Sequence, residues 1–390
     1  MKILLLVSSM HAGGAERVAA TLVNAWSARG DDVTLVPTYS SKGTCFYPVS
    51  DAVDLVWLTD YAGPGAQGRL GPLHRLWALR RLIKAQAPDV VVSFLTNVNV
   101  AAVLATWGMK VPLIVCERTN PAAKHSSLGT VWRTLRRWLY PHADMVTVQA
   151  EATAAPFARQ VPGIKRLAVI PNPLPAALEE GPADLDLPAL DPLKKRLVAM
   201  GRLVPQKQFD VLIDAYAALA HEFPDWDLWI WGEGPLRQAL TDQALATGLQ
   251  ERIQLPGRTE SPWDELAQAQ AFVLSSSVEG FPNVLLEAMA LGLPCVAFDC
   301  PSGPREMTDG GRDGLLVPAG DGQGLQDALR RIMSESALRA DLGARAAKAV
   351  RRRYALPAVL AQWDSLFAQV GAPRNVAAAV QADSNRRGSQ

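Results

Sequence analysis

The stretch on which the interpretation of this chain depends is residues 275–290, which read SSSVEGFPNVLLEAMA. It follows the apolar run Phe272–Leu274 and leads into a helical pattern, as expected where a strand passes into a helix. Two glutamates, Glu279 and Glu287, are separated by seven residues, with a Gly-Phe-Pro turn directly after the first. We expect Glu279 in the loop at the end of the strand. Glu287 is predicted about one turn into the helix that starts after Pro282.

Carboxylates in these two places suit a ligand that carries sugar hydroxyls. Each can accept hydrogen bonds from sugar hydroxyls, one carboxylate at a hexose and the other at a ribose. The backbone N–H groups of Asn283 and Val284 at the helix start suit a phosphate. The alternative is two acids on the start and the exposed face of an ordinary helix, which leaves the Gly-Phe-Pro spacer unexplained.

Short apolar runs alternate with helical patterns along the chain, which is typical of a parallel sheet covered by helices. In the first half the predicted strands are Ile3–Ser8, Val33–Pro37, Val53–Leu58, Val90–Leu95, Leu113–Cys116 and Met145–Val148. In the second half they are Arg196–Met200, Leu228–Trp231, Ile253–Leu255, Phe272–Leu274, Cys295–Phe298 and Leu315–Val317. The fold class is therefore α/β, with two Rossmann-like doubly wound domains that face a central cleft at the carboxyl ends of their strands.

The boundaries follow from composition. An N-terminal domain covers residues 1–172, and a Pro- and acid-rich linker covers 173–194. A C-terminal domain covers 195–355, and a helix at 356–371 is predicted to pack back on the N-terminal domain. The polar tail 372–390 is predicted to be disordered.

Composition is that of a soluble globular protein, with 49% hydrophobic and 20% charged residues. The net charge is only +1, but Met1–Pro175 holds 18 Lys and Arg against 10 Asp and Glu. This asymmetry indicates an anionic partner for the N-terminal half, or two domains whose charges balance across their interface. No apolar run is long enough for a membrane span or a secretory signal, so we expect a cytoplasmic protein. We expect no nucleic-acid partner.

Two more motifs follow predicted strands. Gly13-Gly14 opens a helix after the first strand, where the backbone can approach an anion closely, although a bare tight turn explains it equally well. Arg202 and Lys207 are five residues apart after the strand Arg196–Met200. Two cations there can clamp a diphosphate, and the alternative is a pair of solvated basic residues.

In their joint order these motifs resemble retaining glycosyltransferase family four, which has the GT-B fold. The matching pieces are Gly13-Gly14-Ala15-Glu16-Arg17, Gly201-Arg202 with Lys207, the Glu279/Glu287 pair, and Gly303-Pro304-Arg305-Glu306 before Gly314-Leu315-Leu316-Val317-Pro318. The resemblance covers nearly the whole ordered chain, and the glutamate pair is its most specific part.

The resemblance implies a role for each matching residue. Arg202, Lys207 and Glu279 become the catalytic residues: the two cations neutralise the donor diphosphate, and Glu279 holds the transferred sugar. The substrate-binding residues are Gly13, Gly14, Glu117, Arg118, Arg258, Gly280, Phe281, Pro282, Asn283, Val284 and Glu287. Within this set Glu287 binds the ribose hydroxyls and Arg258 lies beside the base, while Gly13 and Gly14 approach the phosphates from the opposite domain.

The chain departs from the family pattern after the strand Leu113–Cys116. Many members carry a histidine there, thought to touch the donor sugar or the acceptor, whereas this chain has Glu117-Arg118-Thr119-Asn120. It is similar in this respect to bacterial enzymes that extend lipid-linked glycans, often with N-acetylhexosamines. An acceptor-side role is therefore assigned to Glu117 and Arg118.

The resemblance implies a retaining hexosyltransferase. A hexose or N-acetylhexosamine moves from a UDP-sugar to a hydroxyl of a growing, lipid-linked glycan. The nucleotide sugar is a substrate, and no metal or other cofactor is implied. Two DxD-like pairs could hold a metal on a diphosphate, but Asp184 and Asp186 lie in the linker. Asp225 and Asp227 precede a strand at the end of the sheet away from the cleft, so both pairs are interpreted as structural.

Two other functions stay open at this point. A nucleotide-sugar epimerase of the same fold would release free sugar products and ignore an acceptor. A non-catalytic nucleotide-sugar-binding protein would keep the fold without needing both glutamates. An NAD oxidoreductase is disfavoured because no GxGxxG follows any strand.

The basic half of the chain also raises the hypothesis of docking on an anionic membrane surface, on the cytoplasmic face of an inner membrane. Leu128, Val131, Trp132, Leu135, Trp138 and Leu139 fall within an arc of about 120° on a helical wheel. Arg133, Arg136 and Arg137 are predicted on the other side. The residues between Tyr61 and Pro88 include Arg69, Arg75, Arg80, Arg81 and Lys84 and no acid. The favoured alternative for the arc itself is that it packs on the sheet.

Overall fold

The computed structural model describes residues 1–40, 43, 45–64, 70–118, 129–179 and 194–372. These residues form two compact units. The N-terminal unit is Met1–Pro173 together with the chain from Pro357 on, and the C-terminal unit is Leu174–Leu356.

The N-terminal unit is built on a seven-stranded parallel sheet with helices between the strands. Its strands are β1 (Lys2–Val7), β2 (Asp32–Pro37), β3 (Asp54–Leu55), β4 (Val90–Phe94), β5 (Leu113–Cys116), β6 (Met145–Val148) and β7 (Leu167–Val169). Its first helices are α1 (Gly14–Ala28), α2 (Leu58–Ala62), α3 (Gly71–Gln86), α4 (Thr96–Thr106), α5 (Thr130–Leu139) and α6 (Glu151–Gln160). The spatial order is β3-β2-β1-β4-β5-β6-β7.

The C-terminal unit repeats this plan on a six-stranded parallel sheet. Its strands are β8 (Lys195–Met200), β9 (Trp226–Trp231), β10 (Ile253–Gly257), β11 (Ala271–Leu274), β12 (Cys295–Asp299) and β13 (Leu315–Pro318). Its helices are α7 (Phe209–Ala217), α8 (Arg237–Ala246), α9 (Pro262–Ala267), α10 (Asn283–Ala290), α11 (Pro304–Met307), α12 (Gly322–Ser334) and α13 (Ser336–Arg353). The spatial order is β10-β9-β8-β11-β12-β13.

Both sheets reverse their strand order once, between β1 and β4 and between β8 and β11. At such a switch point the connections leave toward opposite sides of the sheet, which opens a crevice at the carboxyl ends of the two strands. The prediction of two doubly wound α/β domains is confirmed.

Two elements differ from the sequence prediction. The predicted strand Val53–Leu58 is reduced to β3, because Leu58 already begins α2. Strand β7 was not predicted, because its three residues run directly into the Pro-rich sequence at 171–175. Most of the predicted linker, at 180–193, and nearly all of the predicted tail, at 373–390, lie outside the described residues.

The last helix, α14 (Leu356–Gln369), packs on the N-terminal unit. Trp363 meets Trp26 of α1 edge to face, with ring centroids 5.6 Å apart, and both indoles are fully buried. Asp364 accepts two hydrogen bonds from the guanidinium of Arg29, at 2.9 and 2.8 Å. The chain therefore returns to its first domain after completing the second.

Helix α5 does not present its apolar arc as a single surface. Trp132, Leu135 and Leu139 pack against the core of the sheet, as the favoured alternative predicted, whereas Val131 and Trp138 are exposed. The prediction that Arg136 lies on the solvent side is wrong, because its side chain is buried and points to an internal carboxylate. Leu128 and Arg69 lie outside the described residues.

Among the described residues no helix combines the length and the apolar character needed to cross a bilayer.

The α14 contact predicts a localised loss of stability. Trp363→Ala removes a fully buried indole, so it should destabilise the N-terminal unit by about 3–5 kcal/mol. Urea unfolding of the full chain, with the two units followed by hydrogen exchange, measures this. Leu245→Ala, at an exposed leucine of the C-terminal unit, is the control and should change little. Destabilisation confined to the C-terminal unit would contradict the assignment of α14.

Candidate active site

The loops after β8 and β11 lie side by side, because these strands are neighbours at the switch point. Ser275 donates its hydroxyl to the carbonyl of Lys207 at 2.7 Å, and the backbone N–H of Ser277 donates to the carbonyl of Gln206 at 2.8 Å. These bonds tie the 3-10 turn Pro205–Lys207 to the first residues after β11. Two loops about 70 residues apart in sequence therefore act as one surface.

Lys207 and Glu279 meet on that surface. The Nζ of Lys207 lies 2.6 Å from Oε1 of Glu279, and the two side chains are 19% and 13% exposed. Arg202, on the same loop as Lys207, is exposed, and no described acidic side chain lies within ion-pair distance of it. The structure thus brings two of the three predicted catalytic residues into contact and leaves the third, Arg202, open to an anion.

The backbone of Glu279 is fixed by the loop after β12. Its N–H donates to the carbonyl of Pro301 at 2.8 Å, and its carbonyl accepts from the N–H of Ser302 at 2.9 Å. The hydroxyl of Ser302 donates to the carbonyl of Gly280 at 3.0 Å. Burial raises the pKa of the nearby Cys300 thiol to about 12, with the negative charge of Glu279 adding to the effect. This thiol is therefore protonated at neutral pH.

The predicted turn Gly280–Pro282 leads directly into α10. Phe281 is buried and meets the ring of Tyr354 edge to face at 5.6 Å. Asn283 and Val284 are the first two residues of the helix, whose first-turn N–H groups have no acceptor within the helix itself. The start of α10 therefore lies directly after the loop that carries Glu279, as the sequence predicted.

Glu287 lies one turn into α10 and is only 1% exposed. Its Oε2 accepts a hydrogen bond of 3.1 Å from the indole N–H of Trp263, in the first turn of α9. Sequence reasoning missed Trp263. A buried carboxylate needs hydrogen-bond donors. The indole N–H of a tryptophan shortly after Arg258 was a candidate donor that the sequence offered. The ribose-binding role of Glu287 stays a prediction.

The loop after β9 was also missed. Gly232 has φ of +144°, and a Cβ there would lie 1.8 Å from the carbonyl oxygen of Gly201, so only glycine fits. The N–H of Gly201 donates to the carbonyl of Trp231, and that of Leu203 to the carbonyl of Glu233, both at 2.9 Å. The signal was a Gly-Glu-Gly sequence directly after a strand.

Arg258 directly follows β10 and is exposed. The carbonyl of the preceding residue, Gly257, accepts from the N–H of Gly232 at 2.7 Å. The loops after β8, β9 and β10 are thus held edge to edge, and Arg258 extends from the outermost of the three.

In the N-terminal unit, Gly13 is the N-cap of α1 and Gly14 its first residue. The Glu16 carboxylate folds back over this turn and accepts a hydrogen bond of 3.2 Å from the hydroxyl of Ser9. A Cβ on Gly13 would lie 2.2 Å from Oε2 of Glu16. The helix start therefore already has an acidic side chain beside it, which an incoming phosphate would have to displace or avoid.

Glu117 lies inside the N-terminal unit, where protein groups surround it, and its predicted binding role stays a prediction. Its side chain has no exposed surface and accepts hydrogen bonds from Thr96 at 3.1 and 2.8 Å and from Tyr140 at 3.2 Å. Arg136 of α5 lies 3.6 Å from it. Burial, and then the Glu117 charge, raise the pKa of Tyr140, so the phenol stays a donor. No motif in the sequence around Glu117 predicts this hydrogen-bond network.

Arg118, the next residue, is different. Its guanidinium stacks on the ring of Phe94, 3.7 Å from the ring centroid, and donates to the side-chain oxygen of Asn172. The side-chain amide of Gln149 donates to the same oxygen at 2.7 Å. Burial lowers the pKa of Arg118 to about 10, so the guanidinium is still charged at neutral pH. No described acidic side chain forms an ion pair with it, so among the described residues this cation has only neutral partners. Thr119 and Asn120 lie outside the described residues.

The DxD-like pairs have other partners or are not described. Asp225 pairs with Lys195 at 2.5 Å, and Asp227 lies near Arg252 and Lys194. Asp184 and Asp186 lie outside the described residues. Within the described part of the chain, no three His, Cys, Asp or Glu side chains cluster closely enough to hold a metal ion.

Two sequence families match this chain and together cover most of it. Residues 13–173 match "Glycosyl transferase 4-like domain", and residues 194–335 match "Glycosyl transferases group 1". The first match holds β2 to β7 of the N-terminal sheet, and the second holds all six strands of the C-terminal sheet. The chain belongs to the GT-B glycosyltransferases of the family-four type.

Individual relatives of this glycosyltransferase agree with that membership. This chain is 27% identical over 372 residues to a Campylobacter jejuni protein, and the match covers 95% of this chain and 99% of the relative. That relative is named GalNAc-alpha-(1->4)-GalNAc-alpha-(1->3)-diNAcBac-PP-undecaprenol alpha-1,4-N-acetyl-D-galactosaminyltransferase. An exopolysaccharide phosphotransferase of Streptomyces coelicolor is 36% identical over 211 residues, but that match spans only 54% of this chain and 21% of the relative.

The fold agrees with solved structures. Anabaena HepE, crystallised with UDP, superposes with a TM-score of 0.73 at 20% identity, covering 94% of this glycosyltransferase and all of HepE. At that identity the comparison establishes the shared fold.

The Trp263–Glu287 bond predicts a coupled effect on stability. Trp263→Phe leaves the buried carboxylate short of a donor and should cost about 1–3 kcal/mol of unfolding free energy. In the Glu287→Gln background the same change should cost less, because the neutral amide needs the donor less. A double-mutant cycle by urea unfolding measures the coupling. Purely additive effects would mean that the hydrogen bond contributes nothing.

Proposed function

We propose that this glycosyltransferase moves a hexose or N-acetylhexosamine from a UDP-sugar to a hydroxyl of a growing lipid-linked glycan, with retention of configuration. The Campylobacter relative supports the acceptor class, because its name places its acceptor on undecaprenol diphosphate. HepE supports the nucleotide, because it was crystallised with UDP.

The observation that carries the proposal is the Lys207–Glu279 pair beside the start of α10. Breaking a sugar–diphosphate bond builds negative charge on the departing diphosphate, and preorganised cations stabilise that charge. Lys207 has three N–H donors, so it can keep Glu279 and still contact a phosphate oxygen. The exposed Arg202 adds a planar fork of donors from the same loop.

Glu279 is proposed to hold the hydroxyls of the transferred sugar, close to the diphosphate that Lys207 binds. A carboxylate on hydroxyls beside the reacting carbon orients the sugar for attack. Retention is proposed to arise from attack on the same face as the leaving group, with the departing phosphate taking the proton of the acceptor hydroxyl. This step rests on the family resemblance. The cations take the part that a metal ion plays in other transferases, so we assign the reaction no cofactor.

The nucleoside is proposed to lie along the loops after β9 and β10. Glu287 on α10 would receive the ribose hydroxyls, and Arg258 would lie beside the base. Glu287 is covered in part by Trp263, so this role requires the ribose to reach the carboxylate from another side.

The N-terminal unit is proposed to supply the acceptor side. Arg118 is the strongest candidate there, because its cation has no described acidic partner and lies at the carboxyl edge of the sheet. Glu117 is proposed to support the strand end beneath Arg118. Gly13 and Gly14 are proposed to approach the donor phosphates.

Product analysis tests the proposal directly. Purified enzyme is offered a panel of UDP- and GDP-sugars with and without a polyprenyl-diphosphate glycan, and products are identified by mass and by the configuration of the new bond. We expect UDP release that depends on the acceptor and survives chelator. Acceptor-independent conversion of the sugar would instead identify an epimerase, and binding without turnover a non-catalytic protein.

Removal of either cation should slow the reaction. Arg202→Ala and Lys207→Ala should each lower kcat by about a hundredfold or more, as loss of a preorganised charge contact does. Lys195→Ala removes a lysine from the opposite end of β8, where it pairs with Asp225, and should leave kcat unchanged. Near-normal kcat in both cation variants, with folding intact, would contradict the diphosphate clamp.

The two glutamates should separate kinetically. Glu287→Ala removes a contact that is equal in ground and transition states, so KM for the donor should rise more than kcat falls. Glu279→Ala removes a contact to the sugar that is transferred, so it should lower kcat. Steady-state kinetics and calorimetry with UDP measure both effects. Unchanged UDP affinity in a folded Glu287 variant would remove Glu287 from the nucleoside site.

A further inference from the structure

The carboxylate of Glu287 lies in the interior of the C-terminal unit with an indole N–H against it. Glu287 is 1% exposed, and its Oε2 is 3.1 Å from Nε1 of Trp263. An indole N–H can only donate and an ionised carboxylate can only accept, so the two groups are matched in this bond. The bond fixes one carboxylate oxygen and, with it, the direction in which the other oxygen points.

Trp263 is itself fixed in place by packing. It is the second residue of α9, and its half-buried indole packs against a core cluster of the C-terminal unit. That cluster includes Leu285, Leu286 and Met289 of α10, the helix that carries Glu287. A tryptophan side chain has only two rotatable bonds and presents one N–H. The packed indole therefore points its donor in one direction, and Glu287 lies in that direction.

The pair lies where the nucleoside of the donor is proposed to bind. Helix α9 follows β10 by way of residues 258–261, which begin with Arg258 beside the proposed base. In this connection the hydroxyl oxygen of Thr259 accepts from the N–H of Ser261 at 3.0 Å, so the chain turns directly into α9. Trp263 therefore links the loop assigned to the base with the carboxylate assigned to the ribose.

A fixed carboxylate recognises a ribose more strictly than a mobile one. A carboxylate offers about four lone-pair sites on its two oxygens, so Glu287 can keep the indole bond and still accept from ribose hydroxyls. Where the carboxylate is fixed, a sugar that lacks a hydroxyl leaves an acceptor facing a C–H group, and this is costly in a buried site. A mobile carboxylate can turn to another donor and avoid that cost. Sites built around a substrate hydroxyl reject the analogue without it for this reason.

We propose that Trp263 is a positioning residue that makes Glu287 selective for ribose, so that this enzyme uses ribonucleoside diphosphate sugars and rejects their 2′-deoxy counterparts. The inference rests on the proposed function, because Glu287 must receive the ribose for its orientation to matter. Deoxythymidine diphosphate sugars belong to the excluded class, since they lack the 2′-hydroxyl.

The experiment is calorimetric titration of the full chain with UDP and with 2′-deoxy-UDP. The wild type should bind UDP at least about tenfold more tightly, because the 2′-hydroxyl bonds to a charged acceptor. Trp263→Phe keeps an aromatic ring in the core but removes the donor. It should reduce the preference to about threefold or less, chiefly through weaker binding of UDP, because the carboxylate is no longer held toward the ribose.

The ratio of the two affinities separates positioning from stability. Trp263→Phe is also expected to lower the unfolding free energy, and a smaller folded fraction weakens the binding of both nucleotides by the same factor. A purely structural effect therefore leaves the ratio unchanged. In the Glu287→Gln background, Trp263→Phe should move the ratio by less than about twofold, because the indole acts through Glu287.

Trp229→Phe is the matched control. Trp229 is also half-buried and packs against the same core cluster. Its ring lies 6.0 Å from that of Trp231 and carries the guanidinium of Arg196, 4.4 Å from the ring centroid. The same substitution there should leave the preference for UDP at the wild-type value. In transfer assays, the wild type should use a UDP-sugar faster than the matching 2′-deoxy-UDP-sugar, and Trp263→Phe should narrow that difference.

An unchanged preference for UDP in Trp263→Phe, or an equal loss in Trp229→Phe, would overturn the role of Trp263. A stronger preference in Trp263→Phe would also overturn it, because the indole would then compete with the ribose. Equal binding of both nucleotides by the wild type would refute the ribose selectivity. A preference that Trp263→Phe abolishes, in a protein that transfers no sugar, would support the role of Trp263 and refute the proposed function. Glycosyl transfer with an unchanged preference would do the reverse.

Discussion

A lysine ammonium and a glutamate carboxylate 2.6 Å apart lie where the strand order of the second sheet reverses. Lys207 follows β8 and Glu279 follows β11, and these two strands are neighbours although two other strands separate them in sequence. A parallel sheet brings the carboxyl ends of its strands to one edge. The ion pair is therefore a consequence of the topology, and the site depends on the strands staying in register.

The backbone around the pair is held tightly enough to keep this geometry. The loop after β9 packs against the loop after β8 with no room for a side chain at Gly232. The loop after β12 fixes both backbone groups of Glu279. A charged ligand that enters such a site meets donors already in place, and little reorganisation is needed as charge develops. Buried cations are costly, so Lys207 keeps a carboxylate partner, while Arg202 stays in solvent.

Much of this could be predicted from the sequence because the signals are local. The Gly-Phe-Pro turn fixes where α10 starts, and hence where Glu279 and Glu287 lie along it. The buried position of Glu117 could not be predicted, because its partner Arg136 lies on a helix beyond the next loop. The periodicity of α5 identified an apolar side, but it could not tell that Trp132 packs inward while Trp138 faces water. Trp263 was missed because its partner lies on another helix.

The most direct measurement of the central claim is calorimetric titration with UDP and with uridine, on the wild type and on the Arg202→Met/Lys207→Met variant. If the two cations clamp the diphosphate, UDP should bind the wild type at least about a hundredfold more tightly than uridine, since charge-assisted bonds are strong. The double variant should lose most of that difference while binding uridine as before. Equal affinity for UDP and uridine in the wild type, or an unchanged preference for UDP in the variant, would contradict the account.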